Sequence, residues 1–540
     1  MVGARGTIFT NGRIRTMDPA QPAVDALAVA GGRILGAGRG QDLREAFPRF
    51  VVVDLGGRTV VPGFTDSHIH LPAYGLGLRR VDLRHARSLR EAVQQVREAV
   101  ARTPSGSWVR GHGWDKNLWP EDRFPTRRDL DPISSATPVA LSSKDGHLLW
   151  VNTTALHRAG IDGRTADPAG GAIERDAHGE PTGLLKETAK DLLWRVVPVS
   201  STEEIEDGIR AAQEIMHRRG ITAVHNFVGT SSFDGGATFA AFRRLAEQRE
   251  LRLRVWATLP EGDIDHAAAL GLRTGFGDEW VRVGPVKIFA DGTLGSQTAA
   301  MLDPFEGEPG NVGIAIHSRE ELIALVGRAV AAGLWCAIHA IGDRANRWVL
   351  DAYETHRQAS RALGARHRIE HVQVLHRQDL PRLAALDVVA SMQPIHCTSD
   401  RDIADRYWGE RSHLAYAWQS LRRTGARLVF GSDAPVETPD VFQGLYAAVT
   451  RKRADEPTRP AWHPDETLPV DEALRAYTEM PAYAAGSESF MGRLAEGYLA
   501  DFVVLTDDLL TAPPERLLHT EVAATVVGGD VVYAAPGFVR

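Results

Sequence analysis

The segment TDSHIH places His68 and His70 two residues apart, at the end of an apolar run. Alternate residues of a β-strand point to the same side, so the two imidazoles would face one place. Neutral imidazole is a common ligand of divalent metals. A lone His-x-His pair is equally consistent with two hydrogen-bonded structural histidines, so the metal interpretation depends on the rest of the chain.

Three further candidate ligands each follow an apolar, strand-like run. His339 lies near the end of LWCAIHA, His371 lies in RIEHV, and Asp433 ends VFGSD. Enzymes built on parallel barrels place their active sites where the strands end. Histidines and an aspartate at the ends of several strand-like runs therefore predict a divalent metal site. Zn²⁺ suits these ligands, as one ion or two, with Mn²⁺ or Fe²⁺ as alternatives.

Lys287 lies inside the apolar run GPVKIFADG. A lysine that points into a barrel is costly unless it is paired or modified. One interpretation pairs it with a nearby carboxylate such as Asp291. The other is that its neutral amine captures CO₂, because burial and adjacent cations lower the pKa of a lysine. The resulting carbamate is anionic, has two oxygens and would bridge two metal ions.

The elements that must position these residues are strands followed by helices. Helical runs such as EELIALVGRAVAAG and RANRWVLDAYETHRQA follow most of the strand-like runs. Eight strands with intervening helices is the arrangement of a (β/α)8 TIM barrel, so the predicted fold class is α/β. The predicted strands are residues 64–70, 222–227, 253–259, 286–290, 334–340, 368–372, 388–392 and 428–431.

Counting eight strands requires residues 75–200 to be an insertion after the first strand. This segment has its own strand-like pieces, SWVRGHGW and TPVALSSKD, and a stretch rich in Pro and Gly, DPAGGAIERDAHGEPTG, which favours an ordered loop or a hairpin. If those pieces were barrel strands, the total would exceed eight. We prefer the insertion because it keeps the candidate ligands at the carboxyl ends of strands.

Both ends of the chain are rich in short β runs separated by turn signals. Residues 1–62 contain TIFTNGRIRTM and RFVVVDLGGRTVVPG, and residues 488–540 contain ADFVVLTDD and EVAATVVGGDVVYAAP. We predict that the two segments form one small β-sandwich domain and that residues 63–487 form the barrel.

The composition excludes several classes of protein. Among 540 residues, 62 Lys and Arg against 69 Asp and Glu give a net charge of −7, which argues against a nucleic-acid partner. Two cysteines exclude a disulfide scaffold. Apolar stretches stay shorter than the about 18 residues that span a bilayer, and the first residues lack the apolar core of a signal peptide. We expect a soluble cytoplasmic protein with no membrane partner, and a homodimer because two-fold symmetry is commonest.

Motifs along nearly the whole chain resemble the amidohydrolase superfamily. VVPGFTDSHIHL is similar to its first metal motif, and NGRI…AVAGGRILGAG and LAEGYLADFVVLTDD are similar to its flanking β-sandwich. More narrowly, the chain resembles the subgroup that contains N-substituted formamide deformylases. The segments that carry this resemblance are KIFADGTLGSQTA, IHAIGDRA, RIEHVQ, SMQPIH and GSDAPVE, with GHLLWVNTTAL and GGAIERDAHGEPTGLLKE in the insertion.

The resemblance implies a metal-dependent enzyme that hydrolyses a carbon–nitrogen bond in a small-molecule amide or N-substituted formamide. The metal ligands that it implies are His68, His70, His339, His371 and Asp433, with Lys287 at the bridging position. The metal would lower the pKa of a water molecule to about 7 and so supply hydroxide. Asp433 would orient this water, take its proton and pass the proton to the leaving nitrogen.

Five residues are candidates for binding the substrate or polarising its carbonyl group. His112 and Trp114 lie in RGHGWDKNLWP, whose aromatic side chains would line an apolar wall or pack the insertion onto the barrel. The candidates for polarising the substrate carbonyl are His225, His112 and His147. His225 lies near the end of TAVHNF and would face the barrel mouth, or it is a hydrogen-bonded core histidine. Arg344, in GDRA, would hold an anionic group or cap the neighbouring loop.

Two other functions fit the same residues. A deaminase or a cyclic-amide hydrolase would use this site on another substrate, and substrate assays would separate them. The other function is a non-catalytic scaffold, which would be a barrel whose site has decayed. The complete set of ligands, together with Asp433, argues against this alternative. Asp291 and Asp343 are expected to orient the ligands from behind.

Overall fold

The structure is a computed structural model that describes residues 6–104, 106–229 and 235–538. Its β-strands, in chain order, are β1 (Thr7–Thr10), β2 (Arg13–Arg15), β3 (Ala23–Val24), β4 (Ala26–Ala30), β5 (Arg33–Gly38), β6 (Val51–Asp54), β7 (Thr59–Pro62), β8 (Phe64–Ile69), β9 (Val81–Asp82), β10 (Val109–Trp114), β11 (Val139–Ser143), β12 (Leu148–Val151), β13 (Gly171–Arg175), β14 (Pro181–Glu187), β15 (Ile221–Asn226), β16 (Arg254–Pro260), β17 (Val281–Phe289), β18 (Cys336–Ala340), β19 (Arg368–His371), β20 (Val389–Met392), β21 (Leu428–Phe430), β22 (Phe502–Leu505), β23 (Val522–Val527) and β24 (Asp530–Ala534). Its α-helices are α1 (Gly40–Ala46), α2 (Leu71–Gly77), α3 (Leu89–Arg102), α4 (Arg127–Leu130), α5 (Thr153–Ala159), α6 (Asp191–Trp194), α7 (Thr202–Arg218), α8 (Gly235–Glu247), α9 (Ile264–Ala269), α10 (Arg319–Ala331), α11 (Asp343–Thr355), α12 (Arg357–Leu363), α13 (Leu380–Leu386), α14 (Pro394–Trp408), α15 (Trp418–Arg423), α16 (Val441–Thr450), α17 (Val470–Tyr477) and α18 (Glu479–Ala484).

The central sheet has eight parallel strands in the order β8, β15, β16, β17, β18, β19, β20 and β21. Each of the eight strands predicted from the sequence overlaps one of them. Strands of a parallel barrel are buried on both faces, which is why they occur as nearly continuous apolar runs. The prediction of a (β/α)8 barrel is confirmed.

The first and last strands of this sheet meet just beyond their carboxyl ends. The backbone N–H of Asp433 donates to the carbonyl of His68 at 2.7 Å, and that of His70 donates to the carbonyl of Ala434 at 2.9 Å. Gly431 permits this approach, because a Cβ there would lie 2.4 Å from the backbone nitrogen of His68. The seam that brings the two ends of the sheet together thus also carries candidate metal ligands.

Several helices around the barrel begin with side-chain caps. At the start of α7, the N–H of Glu204 donates to Ser201 Oγ at 3.1 Å and the N–H of Ser201 donates to the Glu204 carboxylate at 2.7 Å. This reciprocal pair satisfies two N–H groups that have no partner inside the helix. The run RANRWVLDAYETHRQA, predicted as one helix, is divided at His356 into α11 and α12. Within the described ranges, none of the helices has both the length and the apolarity to cross a membrane.

The chain between β8 and β15 forms a sheet of its own. Its six strands have the order β13, β14, β12, β11, β10 and β9. The segment SWVRGHGW contains β10 and TPVALSSKD contains β11, so neither joins the barrel. The stretch rich in Pro and Gly forms the antiparallel pair β13–β14. The insertion after the first barrel strand is confirmed, and its limits at 75 and 200 stay a prediction.

Strands from both ends of the chain share one sheet. This sheet has the order β24, β23, β22, β7, β2 and β3, and a second sheet has the order β5, β4, β1 and β6. The two sheets enclose a common apolar core, in which the rings of Phe9 and Phe502 meet edge to face at 5.0 Å. The β-sandwich built from both termini is confirmed. The domain boundaries at 62/63 and 487/488 stay a prediction.

Candidate metal centre and substrate cavity

Three of the predicted ligands converge at the mouth of the barrel. His68 lies in β8, His70 follows it, and Asp433 lies beyond β21 on the other side of the seam. Asp433 Oδ1 is 3.6 Å from His68 Nε2 and 3.2 Å from His70 Nε2. A tetrahedral zinc ion with bonds of about 2.1 Å holds its ligand atoms about 3.4 Å apart. The three side chains are therefore spaced as ligands of one ion.

Hydrogen bonds on the far side of each ring determine which nitrogen is free. His68 Nδ1 donates to Glu370 Oε2 at 2.7 Å, and His70 Nδ1 donates to the Phe227 carbonyl at 2.9 Å. His339 is held the opposite way, with Nε2 donating to a backbone carbonyl at 3.0 Å. Metal-binding histidines are usually oriented by bonds of this kind. Each of the three rings keeps its other nitrogen for a cation.

The protonation states of the site also suit a cation. Burial is the main cause that holds the pKa of His68, His339 and His371 well below its usual value, so these rings are neutral. Burial alone would raise the pKa of Asp433, but its contacts with His68 and His70 hold it well below its usual value. Neutral imidazole and ionised carboxylate are the forms that bind metals, so the residues fit a divalent ion.

A second pair of histidines faces the other oxygen of Asp433. His371 Nδ1 is 4.0 Å from Asp433 Oδ2 and 2.9 Å from Gln393 Oε1. His396 Nε2 is 3.8 Å from the same carboxylate oxygen. His396 was not predicted as a site residue, because it lies in the first turn of α14 rather than at a strand end. The motif SMQPIH, which contains it, was the available signal.

The backbone at two of the predicted ligands is strained. His371 has φ +77° and Asp433 has φ +58°, a region that residues other than glycine seldom adopt. Strain of this kind concentrates at functional sites. Asp66 supports the second of these turns, because its carboxylate accepts the N–H of Ser432 at 2.9 Å and the Ser432 hydroxyl at 2.5 Å.

Lys287 is buried on β17 with its ammonium over two aromatic rings. Nζ lies 4.4 Å from the ring centre of Phe289 and 5.1 Å from that of Phe227. Burial lowers the pKa of Lys287 to about 8, although Glu370 and Asp433 act to raise it. A lysine in this setting has a substantial neutral fraction near pH 8, which is the form that reacts with CO₂.

Asp291 binds backbone N–H groups and lies beside His339. The closest approach joins Asp291 Oδ1 and His339 Nε2 at 3.6 Å. The N–H groups that donate to Asp291, at 2.8–3.0 Å, belong to Ala300, Ile341 and Gly342. The carboxylates that act to raise the pKa of Lys287 are Glu370 and Asp433 rather than Asp291. Asp343 similarly accepts the N–H of Leu302 at 2.8 Å.

A buried charge network lies beneath the site and includes His225. Arg368 Nη1 donates to His225 Nδ1, and Arg368 Nε donates to Glu370 Oε1, both at 2.8 Å. Glu370 in turn accepts the bond from His68. The ring of His225 packs beside Trp256 at 4.7 Å, and His225 is absent from the cavity lining within the described residues. The structure therefore places His225 below the mouth rather than in it.

The site opens into a cavity of about 340 Å³ between the barrel and the insertion. Two of the predicted substrate-binding residues, His112 and Trp114, line this cavity. Arg344 does not line it in the described part of the chain. Its guanidinium instead donates to the Val312 carbonyl at 3.1 Å and lies 5.3 Å from the ring of Trp348.

The insertion is held to the barrel mouth by polar contacts on both sides. Asp145 Oδ2 accepts bonds from Thr293 Oγ1 at 2.7 Å and Ser296 Oγ at 2.6 Å. Lys144 Nζ pairs with Glu437 Oε1 at 2.6 Å. The loop after β11 thereby forms a wall of the cavity.

His147 also comes from the insertion and lines the cavity. Its Nδ1 bonds to Glu187 Oε2 at 2.6 Å, and Glu187 Oε1 accepts a bond from Thr298 Oγ1 at 2.7 Å. The ring centre lies 5.1 Å from that of His339. The insertion thus brings an oriented imidazole next to the candidate metal centre.

Comparisons with known proteins agree with this architecture. The model of the amidohydrolase family matches residues 51–533. The putative amidohydrolase YtcJ of Bacillus subtilis is 34% identical over 529 residues, covering 97% of this chain and 99% of the relative. The N-substituted formamide deformylase of Arthrobacter pascens is 30% identical over 557 residues, covering 99% and 100%. A crystal structure of an uncharacterized metal-dependent hydrolase from Pyrococcus horikoshii has a TM-score of 0.75 at 29% identity, covering 94% of this chain and 99% of that chain.

Proposed function

The chain belongs to the amidohydrolase family, and we propose that this metal-dependent hydrolase cleaves the carbon–nitrogen bond of a small amide, with N-substituted formamides as the first substrate class. The observation that carries the proposal is the convergence of His68, His70 and Asp433 on one point of the cavity wall. The name of the Arthrobacter relative supports the choice of formamides.

The chain's contribution to metal binding is an oriented set of neutral rings and one ionised carboxylate. The residues that would hold the metal are His68, His70, His339, His371 and Asp433. Zn²⁺ suits this set best, with Mn²⁺ and Fe²⁺ as alternatives. A bound divalent cation polarises the carbonyl group and lowers the pKa of water. The bonds to Glu370 and Phe227 keep His68 and His70 turned toward the site.

Asp433 is the group that moves the proton. It lines the cavity and stays ionised because of its histidine neighbours. As a base it orients a water molecule and accepts its proton, and as an acid it donates the proton to the leaving nitrogen. The oxygen of water joins the acyl carbon, the carbon–nitrogen bond breaks, and the products are an amine and formate or another carboxylate.

Lys287 is proposed to be carboxylated and to occupy the bridging position of a two-metal site. Its neutral amine adds to CO₂ and loses a proton, which gives a carbamate whose single negative charge is shared by two oxygens. Burial of Lys287 supports this step because it favours the neutral amine. His112 and Trp114 are proposed to contact the part of the substrate away from the bond that breaks.

The test combines metal analysis with a substrate panel of formamides, N-acyl amino acids, ring amides and amino-heterocycles. We expect turnover of a linear amide or formamide, its loss after treatment with a chelator, and its return with Zn²⁺ or Mn²⁺. Full turnover by protein that elemental analysis shows to be free of metal would contradict the proposal. Turnover of ring amides or amino-heterocycles alone would identify a cyclic-amide hydrolase or a deaminase instead. Bound metal without turnover of any compound would favour a scaffold.

A further inference from the structure

His396 is a buried histidine with a nitrogen that has no partner. The residue is 5% exposed, and Nε2 has no hydrogen-bond partner among the described residues. Buried polar atoms in native proteins are nearly always paired, so an unpaired one points to a group that binds there. The carboxylate oxygen Asp433 Oδ2, at 3.8 Å, is too far away for a hydrogen bond.

We infer that His396 is a metal ligand and that, with His371 and Asp433, it forms a second cation site beside the one that contains His68 and His70. One nitrogen of each histidine and one oxygen of Asp433 lie within 4.8 Å of one another, and all three residues are buried. His396 Nε2 lies 3.8 Å from Asp433 Oδ2, which exceeds hydrogen-bond length and is close to the about 3.4 Å that separates the ligand atoms of one zinc ion. His371 Nδ1, 4.0 Å from the same oxygen, bonds to Gln393 Oε1, so Nε2 is the nitrogen that His371 offers to a cation.

Each carboxylate oxygen of Asp433 lies nearest to a different pair of histidines. Oδ1 is nearest to His68 and His70, at 3.6 and 3.2 Å. Oδ2 is nearest to His371 and His396, at 4.0 and 3.8 Å. A carboxylate with one histidine pair at each oxygen is arranged to be shared by two cations.

Two carboxylates, those of Asp400 and Glu437, lie close enough to His396 to interact with it electrostatically. Other groups already bind them, since the Tyr416 hydroxyl donates to Asp400 at 2.5 Å and Lys144 pairs with Glu437 at 2.6 Å. The charge of Glu437 is thus offset by Lys144, and burial raises the pKa of Asp400, so the main contribution to the site is the free ligand atom of His396.

The inference rests on the proposed metal centre and adds a ligand to it. It is compatible with a carboxylated Lys287, which approaches from β17 rather than from α14. The test counts bound ions and does not measure turnover. Failure of the amide substrates would therefore leave this inference standing, and failure of the ion count would leave the proposed reaction standing.

The test titrates Zn²⁺ into metal-free wild type, His396→Ala and His396→Leu. Ions per chain are counted by elemental analysis after gel filtration, and near-ultraviolet circular dichroism of the metal-free proteins checks their folding. We expect two ions in the wild type and one in each folded variant. A wild type with one ion, or variants that keep two, would overturn the inference. Variants that keep two ions but have a raised KM would make His396 a substrate contact instead.

His463→Ala is the matched control. His463 Nε2 is also buried without a partner in the described chain, but its ring packs against Trp462 and His413, at 4.5 and 4.7 Å. We expect this variant to keep two ions. Loss of an ion here would show that removing any unpaired histidine has the same effect, and the assignment of His396 would fall.

Discussion

At the residue scale, the chemistry depends on which atom of each side chain faces the cavity. The bonds from His68 to Glu370 and from His70 to the Phe227 carbonyl turn both Nε2 atoms toward Asp433. Glu370 is itself held by buried Arg368, so the orientation of His68 extends back into a charged pair inside the barrel. Groups behind a ligand typically contribute about 10- to 100-fold to metal affinity or activity.

Asp433→Asn tests the proton-transfer role. Asparagine keeps an oxygen that can face His68 and His70 but cannot accept a proton from water. We expect kcat to fall by about 10²–10⁴, the usual contribution of a general base, while elemental analysis still finds the ion that His68 and His70 hold. A variant with near-native kcat and bound metal would remove Asp433 from the proton transfer.

Carboxylation of Lys287 predicts a pH dependence for reactivation. Burial lowers the pKa of Lys287 to about 8, so the amine is mostly protonated, and unreactive toward CO₂, below that pH. Metal-free enzyme given Zn²⁺ and a fixed concentration of dissolved CO₂ should regain activity faster as pH rises, by about tenfold per unit below pH 8 and little above it. Lys287→Ala should lack this dependence. A flat rate from pH 6 to 9 in the wild type would argue against carboxylation.

At the element scale, the site is assembled where β8 and β21 meet. Gly431 follows β21, and a Cβ there would lie 2.4 Å from the backbone nitrogen of His68 and 2.8 Å from Asp66 Oδ1. The backbone of His68 and the carboxylate of Asp66 are both fixed by hydrogen bonds where β8 and β21 meet. Neither can move without shifting the candidate metal ligands. The space at Gly431 therefore controls the geometry of the candidate metal centre.

Gly431→Ala should weaken metal binding without unfolding the barrel. The displacement of His68 that relieves this contact should lower Zn²⁺ affinity by about 10- to 100-fold, the range seen when ligand orientation is disturbed. Competition with a chelator measures the affinity, and far-ultraviolet circular dichroism checks the fold. Gly262→Ala is the control, since a Cβ there meets nothing within 4 Å. Equal affinity in both variants would contradict the role of the seam.

Element patterns explain what could be predicted from the sequence. The barrel strands were recognisable because strands buried on both faces are continuous apolar runs, and residues at their ends were found with them. His396 escaped this reasoning because it lies in the first turn of α14, and Glu370 because it precedes a more conspicuous histidine on β19.

The position of His225 could not be read from its strand alone. The run TAVHNF correctly predicts β15, but the direction and depth of a side chain depend on the neighbouring strands. Arg368 on β19 reaches His225 and holds it below the mouth. Such contacts join residues that are far apart in the sequence, so local pattern does not reveal them.

At the scale of the whole molecule, the cavity lies between the barrel and the insertion. The β-sandwich packs against another side of the barrel. The insertion closes the cavity through Asp145 and Lys144. The sandwich meets the barrel at a buried ion pair in which Arg254 Nη2 donates to Asp501 Oδ1 at 2.9 Å. The side chains of Arg254 and Asp501 are 4% and 8% exposed, so this ion pair is buried. A homodimer stays a prediction, which sedimentation would test.

Asp501→Asn should destabilise the molecule as a whole, because it leaves Arg254 charged and buried without its counter-ion. Breaking one side of a buried pair typically costs about 3–5 kcal/mol in the free energy of unfolding. Urea titration monitored by tryptophan fluorescence measures the change. Asp530→Asn is the matched control at the same junction, because its pair with Arg252, at 2.5 Å, has Asp530 71% exposed. An exposed pair contributes about 0–1 kcal/mol. Similar small losses in both variants would show that the sandwich is held to the barrel by apolar contacts, with the buried pair contributing little.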